Sequence, residues 1–271
     1  MRYLALACAF LIGVFVPVLG QNNTPAVTQE AKAVTQEAKA ATQEAKTTTQ
    51  EAKPAAKADS PEQIWTDLMA GNERFVSGKP KARDFSALRK SLVGGQHPKV
   101  VVLACSDSRV PPELLFDKSL GDLFVVRSAG NIADAIGRGS IEYAIEHLGT
   151  NVLVVLGHEK CGAVTAACTR KKMASANLQA VMDQIDPAVT KASTYAKEDG
   201  LLDAAIRENV DQSAKDLLAH SEVLQHALKE GKLTIFEAVY KLESGEVERT
   251  GKLVLVDPAY KLDIGEIVRV N

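Results

Sequence analysis

Basic clusters are missing from this sequence. Lysine and arginine number 32 against 34 aspartate and glutamate, and the formal charge is -2. No basic block or stripe of basic and aromatic residues interrupts that balance, which excludes a surface built for nucleic acid. Aromatic residues make up only 5% of the chain, with a single tryptophan. Cysteine is scarce too, with four in 271 residues. One of them, Cys8, lies in an N-terminal leader; the remaining three are an odd number, which excludes a full disulfide framework. Beyond residue 20 no apolar run is long enough to form a stable membrane span. What is present is 46% hydrophobic composition, enough for one full core without requiring two domains.

The N-terminus has the pattern of a targeting segment. Arg2 precedes an apolar run over residues 3–16, and Pro17-Val-Leu-Gly20 supplies small residues before Gln21. This predicts a signal peptide over residues 1–20 and a periplasmic or secreted protein. An uncleaved membrane anchor is the alternative. Cleavage would remove Arg2 alone among charged residues and leave a charge of -3. Residues 21–59 form a low-complexity linker that holds four copies of a seven-residue repeat: AVTQEAK, AVTQEAK, AATQEAK and TTTQEAK. A seven-residue period suggests a coiled coil, but only alanine and valine are apolar and the later copies lose the valine. A polar, partly helical spacer fits better. The third region, residues 60–271, is where folding is expected to start, and any catalytic domain would lie there.

That region opens on a helix signal, with Ser60 as N-cap, Pro61 at the first helical position and Gln63 three after the cap. Ile64, Trp65, Leu68 and Met69 supply its apolar face. Short valine-rich runs at residues 99–104, 123–126 and 151–156 then alternate with helical spacing, as at 140–148. Such runs predict an α/β fold, a mostly parallel central sheet flanked by helices, with an N-terminal helical arm. A long helical region is expected over about 175–230. Runs at 233–242 and 251–256 read as strands at the sheet edge.

Two of these strands end in reactive residues. VVVLA runs into Cys105, followed by Asp107 and Arg109; NVLVVL runs into Gly157-His158-Glu159-Lys160-Cys161-Gly162. Sites in open α/β sheets form beyond the carboxyl ends of strands, so Cys105 and the His158/Cys161 pair should share one edge. Two thiolates and an imidazole suit zinc, and three protein ligands leave the open fourth position of a catalytic site. Arg109 can hold Asp107 ionised in a bidentate pair, leaving it to accept a hydrogen bond from metal-bound hydroxide. Other readings stay open: buried core thiols, a Cys105–Cys161 disulfide, or a purely structural ion pair. Cys168 reads as a small hydrophobe, and His97, His147, His220 and His226 as surface or helix residues.

The segments ACSDSRVPPE and GHEKCGAV together resemble the two signatures of the β-class carbonic anhydrases. The likeness extends through AGNERFVSGK, DLFVVRSAGN, SIEYAIEHLG and RENVDQSAKDLL, across essentially all of residues 60–271. The resemblance implies a lyase that interconverts CO2 and bicarbonate with one Zn2+ per chain, held by Cys105, His158 and Cys161 beside an Asp107–Arg109 dyad. It implies a homodimer or dimer of dimers. It also implies a substrate pocket shared across the dimer interface, with Gln96 as the polar handle, Phe124 and Tyr143 as apolar walls, and Gly162 beside it. The plant-like subgroup is the nearer match: the bicarbonate-regulated one carries tryptophan three before the first cysteine, where this chain has Val102. Asp107 is therefore expected to stay paired with Arg109. Hydrolysis of CS2 or COS on the same scaffold, and a non-catalytic zinc-stabilised scaffold, are the rival functions.

Overall fold

Valine-rich strands set the architecture. In the computed structural model, which describes residues 59–255 and 267–270, a six-stranded sheet has the order β2-β1-β3-β4-β5-β6. Its strands are β1 (Val100–Cys105), β2 (Leu123–Ser128), β3 (Val152–His158), β4 (Thr234–Tyr240), β5 (Val247–Leu255) and β6 (Ile267–Val270). The pairs β1–β2, β1–β3 and β3–β4 are parallel, and β4–β5 and β5–β6 antiparallel. β1 and β3 are buried at every position, as strands covered on both faces must be.

Although β1 is apolar throughout, its side chains still alternate between two cores. Val100, Val102 and Ala104 join Val152, Val154 and Leu156 beneath α1 (Pro61–Val76) and α3 (Pro112–Leu115). Helix α2 (Phe85–Ser91) lies between those two in sequence and buries none of its residues. On the opposite face Val101, Leu103 and Cys105 join Leu153 and Val155 beneath the remaining helices. These are α4 (Ala135–Glu146), α5 (Gly162–Cys168), α6 (Ala176–Ala192), α7 (Glu198–Ala219) and α8 (Glu222–Lys229). Helix α7 lies so close on β3 that a Cβ at Gly157 would come within 2.5 Å of Val210 Cγ2.

Helix α1 begins at a full capping box: Ser60 accepts from the Gln63 N–H, and the Gln63 side chain accepts from the Ser60 N–H. Its Trp65 stacks at 5.0 Å on Phe236 of β4, with the Arg249 guanidinium over both rings. Among the described residues no helix is long and apolar enough to cross a membrane.

The helical region expected over 175–230 is present, as three helices divided by turns at 193–197 and 220–221. Two expectations change. β4 lies inside the sheet, between β3 and β5, so only the later antiparallel strands extend toward the edge. α2 and β6 were not expected at all. The signal peptide and the repeats lie outside the described residues.

Candidate metal centre

The strand order places β1 beside β3, and both run in the same direction. Cys105 ends β1 and His158 ends β3, so the two arrive at one edge of the sheet. A tight turn follows His158, with Lys160 in the left-handed region at φ 51. The turn delivers Cys161 to the N-cap of α5. Cys105, His158 and Cys161 are all buried and offer ligand atoms that lie within 4.8 Å of one another.

The donors fit a metal. Two sulfurs on a tetrahedral zinc, each at ~2.3 Å, stand about 3.8 Å apart; Cys105 Sγ and Cys161 Sγ are 3.9 Å apart. His158 Nδ1 lies 2.8 Å from the Glu159 carbonyl, which can only accept, so Nδ1 carries the proton. Nε2 is left with its lone pair, fully buried and without a hydrogen-bond partner among the described residues. A buried acceptor with nothing to accept is costly, and a cation between it and the sulfurs would remove the cost.

Electrostatics divide the two thiols. The hydrogen bond with Cys161 holds Cys105 well below the usual thiol range, assisted by His158 and the backbone N–H groups of Asp107 and Gly130. The same contact, with burial, pushes Cys161 up. The contact therefore favours the thiolate on Cys105 and the thiol on Cys161, and a metal ion bound to both sulfurs would have to displace the thiol proton.

Asp107 stands at the mouth of this cluster. It accepts from Arg109 at three points: the backbone N–H at 3.0 Å, Nε at 2.9 Å and Nη2 at 2.7 Å. That fork holds its carboxyl far below the ordinary range. Its Oδ2 is also 3.9 Å from His158 Nε2, so the carboxylate faces the same point as the three ligands.

Arg127 braces the turn in a way that residue spacing did not reveal. Its Nε donates to the Cys105 carbonyl at 3.0 Å and its Nη2 to the Asp107 carbonyl at 2.6 Å. Gly130, in the short 3-10 turn Ala129–Asn131, donates its N–H to Cys105 Sγ at 3.3 Å. Backbone donors leave no residue-type signature; Arg127 was visible in sequence, but its role depends on the β1–β2 register.

The pocket residues sit elsewhere in the same chain. Phe124 pairs with Val101 at the start of β1, four residues before Cys105, or about 13 Å at ~3.3 Å per residue. Tyr143, on α4, lies 6.4 Å from Phe124 between ring centres and is 48% exposed. Gln96 is exposed in the loop that leads into β1, also at the end away from Cys105. Gly162 begins α5 beside Cys161. One chain therefore gathers the ligands and the dyad at one sheet edge, and Gln96, Phe124 and Tyr143 toward the other.

Comparison with known proteins identifies a family. The family model for carbonic anhydrase matches residues 100–247. Carbonic anhydrase 2 of Mycobacterium tuberculosis is 37% identical over 192 residues, which cover 69% of this chain and 91% of that protein. The carbonic anhydrase of Pseudomonas aeruginosa is 39% identical, with 67% and 86% covered. Among solved structures, the β-carbonic anhydrase CcaA is 28% identical with a TM-score of 0.55, over 77% of this chain and 92% of that one. The strand order, the paired thiols with their imidazole and these relatives lead to one conclusion: the chain belongs to the β-class carbonic anhydrases.

Proposed function

We propose that this carbonic anhydrase hydrates CO2 reversibly through one Zn2+ per chain, held by Cys105, His158 and Cys161. The observation that carries the reading is the buried lone pair of His158 Nε2, which faces two sulfurs and the Asp107 carboxylate. When bound, zinc supplies a Lewis acid that brings the pKa of a water toward ~7. The chain's own residues do the positioning. Asp107, kept ionised by Arg109, can only accept a hydrogen bond, so it turns a water's lone pair away from itself and toward the substrate. Arg127 fixes the carbonyls on either side of that turn and so keeps Asp107 at its distance from His158.

CO2 needs an apolar wall, and within one chain the Phe124–Tyr143 pair is too far away to provide it. A second copy that brings its own Phe124, Tyr143 and Gln96 to this edge would complete the pocket, with Gln96 donating to a substrate oxygen. The exposed Tyr143 face supports such a homodimer. We further propose that residues 1–20 direct export. A native N-terminus at residue 1 on protein recovered from the cytosol would end that proposal.

The test is stopped-flow CO2 hydration on residues 21–271, with zinc quantified in the same sample and Cys161→Ala alongside. Fast turnover at about one zinc per chain, with both lost in the variant, is expected. Full zinc without hydration would overturn the CO2 reading and turn attention to CS2, COS or a scaffold role.

A further inference from the structure

The thiolate ligand Cys105 depends on a turn that its own strand does not hold. Gly130, which donates to its sulfur, lies in the left-handed region at φ 73, and Asn131 follows at φ 48. Two left-handed residues in succession turn the Gly130 N–H back toward the end of β1. Only glycine is suited to the first of them: a Cβ there would stand 2.7 Å from Ile185 Cδ1. Such a turn has to be held from outside, and α7 holds it twice. Asn209 Nδ2 donates to the Gly130 carbonyl at 2.7 Å. One helical turn later, Ser213 Oγ receives Asn131 Nδ2 at 3.4 Å.

Asn209 is an expensive choice for that position. It is 1% exposed in the middle of α7, between the sheet and the turn. Because a carbonyl can only accept, its amide nitrogen must face Gly130, which leaves Oδ1 buried without a partner among the described residues. An apolar side chain there would avoid the unpaired Oδ1 but would leave the Gly130 carbonyl without its donor. The carbonyl it grips and the N–H that reaches Cys105 flank the same Cα, so fixing the first leaves the second little freedom.

We propose that Asn209 is a positioning residue of the metal centre: through the Gly130 carbonyl it aims the Gly130 N–H at the Cys105 sulfur. The inference rests on reading Cys105 as a metal ligand. Two thiolates cancel the charge of a divalent ion. A hydrogen bond to one sulfur withdraws part of that donation and leaves the ion more electrophilic.

The test loads the protein with 113Cd and looks for scalar coupling between the metal and the Gly130 amide proton, which passes only through an N–H···S bond. Wild type is expected to show it. In Asn209→Leu the coupling should fall by more than half, and the sulfur-to-metal charge-transfer band of the Co2+ form should move to lower energy. Metal affinity by chelator competition should drop about tenfold. Asn209→Asp, of the same shape but without the donor, should behave alike. Val210→Ala, the neighbour packed on Gly157, should lower Tm while leaving coupling and band in place. Cadmium bound in wild type with no coupling to Gly130 would overturn the proposal, as would an unchanged band and affinity in folded Asn209→Leu. A wild type that takes up no metal would remove the metal-site reading and this inference with it.

Discussion

Asp107 and Asp117 are ten residues apart in sequence, and each is an aspartate gripped by arginine. They teach opposite lessons. Asp107 is paired locally, with Arg109 two residues on; the side chains are 18% and 53% exposed, and the carboxylate keeps one side open toward His158. Asp117 is enclosed, with its side chain 1% exposed and its backbone in the left-handed region at φ 44. Arg74 from α1 reaches it at 2.5 Å and Arg83 at 2.6 Å, and the Lys81 N–H adds two bonds at 3.3 Å. Burial alone would raise its pKa, but these donors outweigh burial and hold it at about 2. Both carboxylates are depressed and both are bonded by guanidinium, Asp107 by the fork of one arginine and Asp117 by single bonds from two. The open side that Asp107 keeps toward His158, and that the enclosed Asp117 lacks, separates a carboxylate that can serve a reaction from one that ties three segments together.

That contrast can be broken by experiment. The largest effect is expected from Asp107→Asn: kcat/KM for CO2 hydration should fall by about 10²–10³-fold, while Tm stays within about 3 °C of wild type. A stable variant with full activity would remove Asp107 from the site. Asp117→Asn should do the reverse. Leaving two partly buried guanidiniums unpaired should cost about 2–3 kcal/mol in denaturant unfolding, with activity per folded molecule nearly unchanged. Equal stability to wild type would show that the three-segment tie is dispensable.

Acid sharpens the comparison next. The folded pKa of Asp117 lies below its usual value of 3.8, so its stabilisation is complete above about pH 4 and is lost as pH falls toward about 2. The share at stake is about 2 kcal/mol at ~1.4 kcal/mol per pKa unit. The stability gap between wild type and Asp117→Asn should therefore narrow over that window. A gap of constant size would mean that the carboxylate's charge is not what stabilises. The smallest change is Arg109→Lys, which keeps the charge but loses the fork; about a tenfold drop in kcat/KM is expected, and no drop would mean that charge alone suffices.

Sequence patterning revealed the parts of this fold that are buried on both faces. β1 and β3 are continuous apolar runs because nothing polar can sit in them, and each ends abruptly in a ligand, so the edge of the sheet could be read as a site. β4 carries Glu237 in the middle of a fully buried stretch, and an antiparallel partner follows it; together these gave an interior strand the look of an edge. α2 was hidden because it buries no residue and so has no apolar face to detect. Arg127, Gly130 and Asn209 act through backbone atoms brought together from distant positions, and no local spacing encodes such contacts. For Phe124, Tyr143 and Gln96 the family resemblance named the residues; the β1–β2 register then placed Phe124 at the end of the sheet away from Cys105, with Tyr143 against it.

The separation of 3.9 Å between the Cys105 and Cys161 sulfurs also sets a race. A disulfide requires ~2.05 Å, so oxidation needs the two atoms to close by only about 2 Å, in a pair whose contact favours the thiolate on Cys105. Metal and oxidant compete for the same electrons. In an oxidising compartment, the fraction of chains that become active would depend on the order of arrival, with metal delivery needed before the first oxidising encounter.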